Sequence, residues 1–454
     1  MAIESLGVGS NLDLTSLLSS LKKSEEAKLT PITTKLASTN AKLSGFGQLQ
    51  DSLEGFQKAA QKLNSTELYA GFAAKVSGSA LTATASSTAA AGSYDIKVNS
   101  LATAQSLATA GHADTTSEIG TGSLTVSVGD RSTAIEITDG SLAGIRDAIN
   151  KADAGVKASI VNDGSGTPFR LVLNSQTTGA ASTMSFSSDN NDLGALFSGT
   201  TETVAAADAS LTVNGLAITS ASNTVEEAIQ GVTLSLVETT ADGASMKLMV
   251  DQDTESVKTA VKDFVNAYNS LADKITSLTK VSGEGDSVKG ATLTGNSTVR
   301  SVQSSLRDVM SSSVNGEGIS YLFEAGISFS SDLSKSGKLE ISDEKKLDDA
   351  LANKLEEVKG LFAGDGKTGI ASRLDNSINQ MLQDNGAVGS AKAGLETSVK
   401  SLEARSLRMQ DTIETTVDRY KKQFQQLDVM MSKLNNTQSY LSQQLEALSG
   451  ASEN

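Results

Sequence analysis

The sequence lacks several residues on which enzyme chemistry commonly depends. Its 454 residues include no cysteine, no tryptophan, one histidine (His112) and two prolines. Cysteine nucleophiles, iron–sulfur clusters, cysteine-bound zinc and metal sites built from several histidines are therefore excluded. His112 has no acidic or serine neighbour at the spacing of a catalytic triad and is interpreted as a surface residue. We expect no enzyme, no catalytic residues, no cofactor and no metal.

Long hydrophobic runs are also absent. No stretch approaches the ~18 apolar residues of a membrane-spanning helix, and the start, MAIESLGVGS, has neither the basic nor the apolar region of a secretory signal. The net charge of −15 disfavours nucleic acid and anionic lipid as partners. We expect no nucleic-acid binding, no membrane insertion, and either a cytosolic location or export without a cleaved signal. The absence of cysteine is compatible with export as an unfolded chain.

Both ends of the chain show helical periodicity. Between residues 11 and 63 apolar residues recur at steps of mostly three, four or seven, with one break where Thr30 is expected to cap a helix that begins at Pro31. From Leu395 to Leu448, fourteen of sixteen positions at steps of three and four are apolar. This pattern predicts a helix about 80 Å long with a heptad-like apolar face, which we call the seam.

The seam has to be buried, because exposing it would forgo tens of kcal/mol at about 1.5–3 kcal/mol per side chain. The amino-terminal helices are its expected partner, since both segments are almost neutral: 7 basic and 7 acidic residues in 395–448, and 7 and 6 in 1–63. The predicted partner-binding residues of this stalk are Leu14, Leu17, Leu18, Leu21, Leu427, Met431, Leu434, Leu441 and Leu445. A purely intramolecular coiled coil is the alternative.

The middle of the chain changes to Ser, Thr, Ala and Gly with short alternating runs. Residues 71–251 hold 18 acidic and 8 basic residues, a net charge of −10, which is typical of a solvated outer region. The predicted strands include Tyr94–Val98, Leu124–Val128, Arg170–Asn174 and Val232–Val237.

An internal repeat runs through this middle region. Each copy predicts strand, strand, short helix and strand, and the simplest architecture is two related β-rich domains, one inserted into the other. Chance similarity of short strands is the alternative. The first copy consists of Leu124–Val126, Ile135–Ile137, Ala148-Ile149 and Val156–Val161. The second copy consists of Leu211–Val213, Ala217-Ile218, Ala228-Ile229 and Val232–Val237.

Helical patterns return after the middle region, so the predicted fold class is α+β. A terminal helical coiled-coil stalk and a mainly helical domain enclose the two inserted β-rich domains. Acids at Asp251–Glu255 suit a helix start rather than a calcium loop, and Gly364–Gly369 is interpreted as a surface loop rather than a phosphate loop. The further predicted elements are helices 253–280, 296–310 and 343–362, the last capped by Ser342, and strands Ile327–Phe329 and Leu339–Ile341.

Five segments, taken in order, resemble the family of bacterial flagellar filament-capping proteins, also called flagellar hook-associated protein 2. The resemblance covers nearly the whole chain, and each segment alone is of modest specificity. The segments are Ser5–Leu14, Tyr94–Gln105, Ala148–Asn150, Ser222–Val225 with Gly231–Leu234, and Leu434–Gln444.

The resemblance implies a structural cap at the distal tip of the filament. It implies a homo-oligomeric ring of about five subunits, under which exported flagellin folds and inserts. The implied partners are flagellin, the hook–filament junction protein, and a cytosolic export chaperone that holds the carboxy-terminal segment. Export by the flagellar type III system would place the protein outside the cell, with terminal segments that become ordered on assembly.

The same resemblance implies four domains. These are a terminal leg (1–41 and 406–454), a helix-rich domain (42–70 and 252–405), a β-rich domain (71–110 and 203–251) and an inserted β-rich domain (111–202).

Two other functions stay open at this stage. Another flagellar axial or junction protein, or flagellin itself, would share the helical ends. A tip adhesin that binds host mucin would use the Ser/Thr-rich acidic middle, although aromatics at 4% and the absence of tryptophan provide poorly for stacking on sugars.

Overall fold

The chain folds into two compact units, which are described separately. The computed structural model describes residue 10 and residues 12–241, 243–284, 287–314, 318–332 and 337–450. Residues 447–450 are described by their backbone alone. The first unit combines the chain up to Ser65 with the chain from Val257 onward, and the second unit is Thr66–Ser256.

About half of the described residues are helical, mainly toward the two ends of the chain. A 3₁₀ turn (Ala27–Leu29) joins the first two helices, and another (Leu322–Ala325) lies in the carboxy-terminal half. The α-helices are α1 Leu14–Glu26, α2 Thr30–Asn64, α3 Thr66–Ala70, α4 Leu142–Ala152, α5 Asn191–Ser198, α6 Thr254–Thr279, α7 Ser297–Ser311, α8 Glu344–Asn353, α9 Leu355–Phe362, α10 Ile370–Leu382 and α11 Ala387–Gly450.

The strands concentrate in the middle of the chain, as the alternating pattern predicts. The four strand segments predicted between Tyr94 and Val237 are confirmed, and so are the two predicted at Ile327–Phe329 and Leu339–Ile341. The strands are β1 Phe72–Val76, β2 Leu81–Ala85, β3 Gly92–Ser100, β4 Ser106–Ala108, β5 Gly122–Val128, β6 Arg131–Ile137, β7 Val156–Asn162, β8 Phe169–Ser175, β9 Met184–Ser188, β10 Thr201–Val204, β11 Ala209–Val213, β12 Leu216–Ser220, β13 Thr224–Ile229, β14 Val232–Leu236, β15 Met246–Gln252, β16 Val281–Ser282, β17 Lys289–Gly290, β18 Ile327–Phe329 and β19 Leu339–Ile341.

An aromatic cluster lies in the core of the first unit. The ring of Phe56 on α2 lies 5.1 Å from that of Phe264 and 5.5 Å from that of Tyr268, both on α6. The ring of Phe362 at the end of α9 lies 5.9 Å from Phe264. Phe56 belongs to the periodic apolar face that the sequence shows in α2, and this face also packs against α10 and α11. Burial raises the pKa of the Tyr268 hydroxyl.

Two antiparallel sheets form the first core of the second unit. One has the strand order β1-β15-β3-β11-β12 and the other β13-β14-β2. The buried side chains come from Ala80–Ala102 and from Ala209–Val250. Alternation decides which side chains enter the core: Ile96 and Val98 are fully buried, whereas Lys97 between them is not.

A second core in this unit is formed by the sheets β10-β4-β8-β7 and β6-β5-β9 with α4 and α5, and all of its buried hydrophobic residues lie between Leu107 and Phe197. The two connections to it run side by side as an antiparallel pair. Ser100 is opposite Ser210, Thr103 opposite Ala207, and Ala108 opposite Thr201. Because the leaving and returning strands are neighbours, the insertion leaves the sheet of the first core continuous.

The two copies of the predicted repeat differ in their third element. In the first copy, strand, strand, helix and strand are confirmed as β5, β6, α4 and β7. In the second copy the predicted helix at Ala228-Ile229 is wrong, because these residues end β13. The segment from Thr224 has six residues before the turn at Gly231, too few for a stable helix. It pairs with β14 instead, with a bulge at Glu227 (φ 63°).

Two predicted helix starts are corrected. Thr30 does not cap α2: it is helical (φ −51°, ψ −47°), because the preceding 3₁₀ turn supplies backbone acceptors. Pro31 lies in the first turn of α2, as its second residue rather than its first. Ser342 does not cap the helix after it either. Asp343 does, since its Oδ1 accepts a hydrogen bond from the Lys346 amide at 2.9 Å.

The helix predicted over 343–362 is two helices, α8 and α9, which separate at Lys354 (φ −140°, ψ 35°). His112 is half-buried rather than a surface residue, because its backbone pairs with Phe169 at the start of β8. Gly364–Gly369 is a surface loop, as predicted. Residues 285 and 286, which follow α6 in a glycine-rich stretch of the sequence, lie outside the described residues.

We predict that Phe56→Ala lowers the free energy of unfolding of the first unit by about 3–5 kcal/mol, because it empties the centre of the aromatic cluster. Urea unfolding of the full chain, followed by the helical circular dichroism signal, measures this change. The exposed Lys58→Ala two residues later is the control and should change it by less than about 0.5 kcal/mol. Equal midpoints for both variants would contradict the assigned core.

A second prediction concerns Asn150 at the end of α4. Its side-chain amide donates to the Ala158 carbonyl at 2.8 Å and accepts from the Ala158 amide at 2.9 Å. Asn150→Ala leaves both backbone groups of β7 without these bonds, and we expect a loss of about 1–3 kcal/mol. Hydrogen exchange over residues 142–162 should quicken in this variant and stay unchanged in Lys151→Ala. Unchanged exchange in Asn150→Ala would show that the two hydrogen bonds between Asn150 and Ala158 do not stabilise this region.

Candidate partner-binding surface

The predicted seam lies on one uninterrupted helix. Residues 395–448 contain neither glycine nor proline, so nothing in this stretch breaks the helical hydrogen bonds. Helix α11 runs over 64 residues, Ala387–Gly450, or about 96 Å. It confirms the predicted helix and begins about two turns earlier.

The first helix of the chain packs against α11. Asp13 caps α1 by accepting a hydrogen bond from the Ser16 amide at 2.9 Å, and this bond holds the pKa of the Asp13 carboxyl below its ordinary value. The amide and the hydroxyl of Ser10 both donate to Oδ1 of Asp428, at 2.8 and 2.6 Å. The described amino-terminal end is therefore held beside Asp428, roughly one-third of the way back from the end of α11.

The structure brings part of the predicted stalk together. Leu14 is buried, and Leu18, Leu21 and Met431 are half-buried. On α11, Ile413 is 6% exposed and the following seam residues, through Phe424, are half-buried. This middle part of the seam is thus covered by helices of its own chain.

The remaining predicted residues lie open to solvent. The exposed fraction of the residue is 38% at Leu427 and larger toward the end of α11, at 56% for Leu434, 54% for Leu441 and 66% for Leu445. Leu17 on α1 is also exposed. We call Leu427, Leu434, Leu441 and Leu445 the distal strip. Its residues share one face of the helix, because they are spaced by seven, seven and four.

Sequence reasoning missed several exposed apolar residues. Val429, Met430 and Tyr440 lie near the distal strip, and Leu407 lies farther back on α11. Tyr321, just before the second 3₁₀ turn, and Phe323, within that turn, are exposed as well. The sequence could have indicated the exposed residues of α11, because they are apolar residues that lie off the seam. The exposure of Tyr321 and Phe323 depends on tertiary packing and has no such indication in the sequence.

The described residues were compared with the requirements of a metal cluster and of a membrane-spanning helix. Within the ranges given above, no three His, Asp or Glu side chains lie close enough together to hold a metal ion. In the same part of the chain, no helix combines the length and the apolar character needed to cross a bilayer.

Comparison with known families gives three matches. Residues 10–105 match the family described as Flagellar hook-associated protein 2 N-terminus, and residues 206–436 match Flagellar hook-associated protein 2 C-terminus. Residues 123–177, within the second core of the second unit, match the Flagellin hook IN motif.

Full-length relatives carry the same description. The chain is 40% identical to flagellar hook-associated protein 2 of Escherichia coli K12, and 40% identical to that of Salmonella typhimurium LT2. Each alignment covers 98% of this chain, with 98% and 99% of the relatives. Among solved structures, the D1-D2-D3 domains of the flagellar cap protein FliD from Escherichia coli match with a TM-score of 0.61 and 38% identity, over 78% of this chain and 99% of that one.

These comparisons support the cap function, and they support neither the junction-protein nor the adhesin alternative. The chain belongs to the flagellar hook-associated protein 2 family, the flagellar cap proteins.

Proposed function

We propose that this chain caps the distal tip of the bacterial flagellar filament, as a ring under which exported flagellin subunits fold and insert. Family membership over the full chain supports the cap role. The structural observation that carries the mechanism is the distal strip of α11, which continues past the covered part of the stalk and stays exposed.

The distal strip docks against the helical lining of the filament. Each of its four leucines still has 38–66% of its side chain to bury, worth about 1 kcal/mol apiece at ~25 cal/mol per Å² of apolar surface. A contact of about 4 kcal/mol per subunit is weak enough to break and re-form locally, while several subunits together hold the cap in place. The cap therefore remains attached while it steps.

The ring contains about five subunits, and this number of subunits does not match the symmetry of the filament lattice. This mismatch leaves one gap at a time for a new flagellin. Binding energy and geometry drive insertion without nucleotide hydrolysis, so the role is structural rather than enzymatic. The acidic middle region, with its net charge of −10, keeps the outer part solvated, and no nucleic acid or membrane takes part.

The remaining partners follow from the same assignment. The chain leaves the cell through the flagellar type III system without a cleaved signal, and its carboxy-terminal segment is held by a cytosolic chaperone beforehand. The first cap assembles on the hook–filament junction protein. The four-domain division proposed from the sequence is supported by two separate cores in the second unit, one formed between Leu107 and Phe197.

Replacing Leu427 and Leu434 together by Asp tests the docking. We expect the double variant to lose filament attachment while the β-rich region stays folded, because two charges enter an apolar contact that lies outside that region. Cells that carry only this variant should release flagellin into the medium and fail to swim. Electron microscopy of filament tips and flagellin assays of the medium measure both effects.

The matched control is Gln426→Asp with Asn436→Asp. It adds the same charge on the same helix turns, but at exposed polar positions off the seam. This control should cap normally. Normal swimming of the leucine double variant would refute docking by the distal strip.

A further inference from the structure

An apolar pocket opens on the first unit, away from the stalk seam. It has a volume of about 300 Å³ and lies between the end of α7, the second 3₁₀ turn and the β18–β19 hairpin. We call it the Phe323 pocket. Its lining includes Met310, Tyr321, Phe323, Phe329 and Leu339.

Two aromatic rings stand exposed at this pocket. Phe323 is 57% exposed and Tyr321 is 37% exposed, and the rings stack on each other with centroids 5.3 Å apart. The whole chain has only 11 Phe and 6 Tyr. Two of them placed side by side at the mouth of an apolar pocket form an aromatic surface of the kind found at the centre of protein interfaces.

Two cations lie against aromatic rings of the pocket without lining it themselves, and the Lys346 ammonium also donates a hydrogen bond to the Phe323 carbonyl at 3.0 Å. The Arg307 guanidinium lies 5.2 Å from the ring centroid of Phe329, and the Lys346 ammonium lies 5.9 Å from that of Phe323. Across the described residues, neither cation forms an ion pair. The nearby Glu324 carboxylate already accepts hydrogen bonds from the Ser320 and Tyr321 amides. A complementary partner would bring an apolar side chain flanked by carboxylates.

The chain presents such a group on α11. Leu407 is 66% exposed, and the seam does not use it. Glu403 and Asp411 lie one turn before and one turn after it, on the same face and also exposed. The basic residues nearest in sequence, Arg405 and Arg408, are rotated by about 160° and 100° around the helix.

We propose that Leu407 of one copy enters the Phe323 pocket of the neighbouring copy. Glu403 and Asp411 then approach Arg307 and Lys346 across the interface. Two copies are required, because Leu407 and Phe323 are both exposed within a single chain. The two surfaces differ, so each copy uses its pocket on one side and Leu407 on the other, the head-to-tail arrangement that closes into a ring.

This inference rests on the proposed ring and adds the contact that joins its subunits. The absence of cysteine makes a direct test available, since introduced thiols are the only ones present. Chains with Phe323→Cys and chains with Leu407→Cys are produced together in cells that lack any other cap protein. Flagella are isolated, treated with a short bifunctional thiol crosslinker and examined on a denaturing gel.

We expect a covalent dimer in the mixture and none when either variant is present alone. Thr415→Cys, also exposed on α11, replaces Leu407→Cys as the control and should give no dimer with Phe323→Cys. Tyr321→Cys provides a second pocket variant with less loss of apolar surface. Capped filaments without the 323–407 or 321–407 dimer would overturn this contact and leave the cap function standing.

Leu407→Asp provides a second readout on the purified full chain. We expect self-association, measured by sedimentation across a concentration series, to weaken at least about tenfold, whereas Thr415→Asp leaves it unchanged. Equal association of both variants would also overturn the contact. If the unmodified chain neither associates nor restores capped filaments, the proposed function itself fails, and the interface fails with it.

Discussion

Burial of the apolar face of α11 is the interaction on which the rest of the structure depends. One helix of 64 residues presents more apolar surface than its own chain covers. Helices α1 and α2 cover its middle, and the hydrogen bonds between Ser10 and Asp428 mark how far the described amino-terminal end reaches. The surface beyond that point is available to an assembly, so folding and assembly use the same physical force at two places on one helix.

The architecture of the second unit makes a different use of chain connectivity. An antiparallel pairing in two short ladders joined by one isolated bridge, from Ser100 and Ser210 to Ala108 and Thr201, carries the chain into the second core and back. Each core then closes with its own buried residues. Such an insertion can vary in size or surface without disturbing the sheet that supports it. The acidic charge of this region is spread over both cores, which favours solvation rather than a charged binding site.

In the proposed assembly, two kinds of apolar surface on the first unit serve different purposes. The distal strip is long, one-sided and made of leucines, which suits contact with other helices. The Phe323 pocket is compact, aromatic and flanked by cations, which suits a single inserted side chain. The proposed cap has to hold its subunits together while it moves along the filament, and two separate surfaces would allow both.

Most element types were predictable because periodicity reflects burial on one side. The seam, α6 and the four named strands follow directly from apolar spacing. Local boundaries were less predictable. The 3₁₀ turn before Thr30, the break at Lys354 and the bulged β13 each depend on backbone partners that short-range pattern does not reveal. His112 became half-buried through pairing with Phe169, a residue far along the chain.

The amino-acid sequence by itself determined the class of the protein: an α+β chain without cysteine, with apolar helical ends that require a partner and an acidic β-rich middle. Tertiary structure decided which of those apolar residues remain exposed. Leu14 and Leu445 look alike in sequence, yet one is 3% and the other 66% exposed. Apolar periodicity indicates that one face of a helix has to be buried. Which part of that face is buried within the chain depends on where the chain's other helices end.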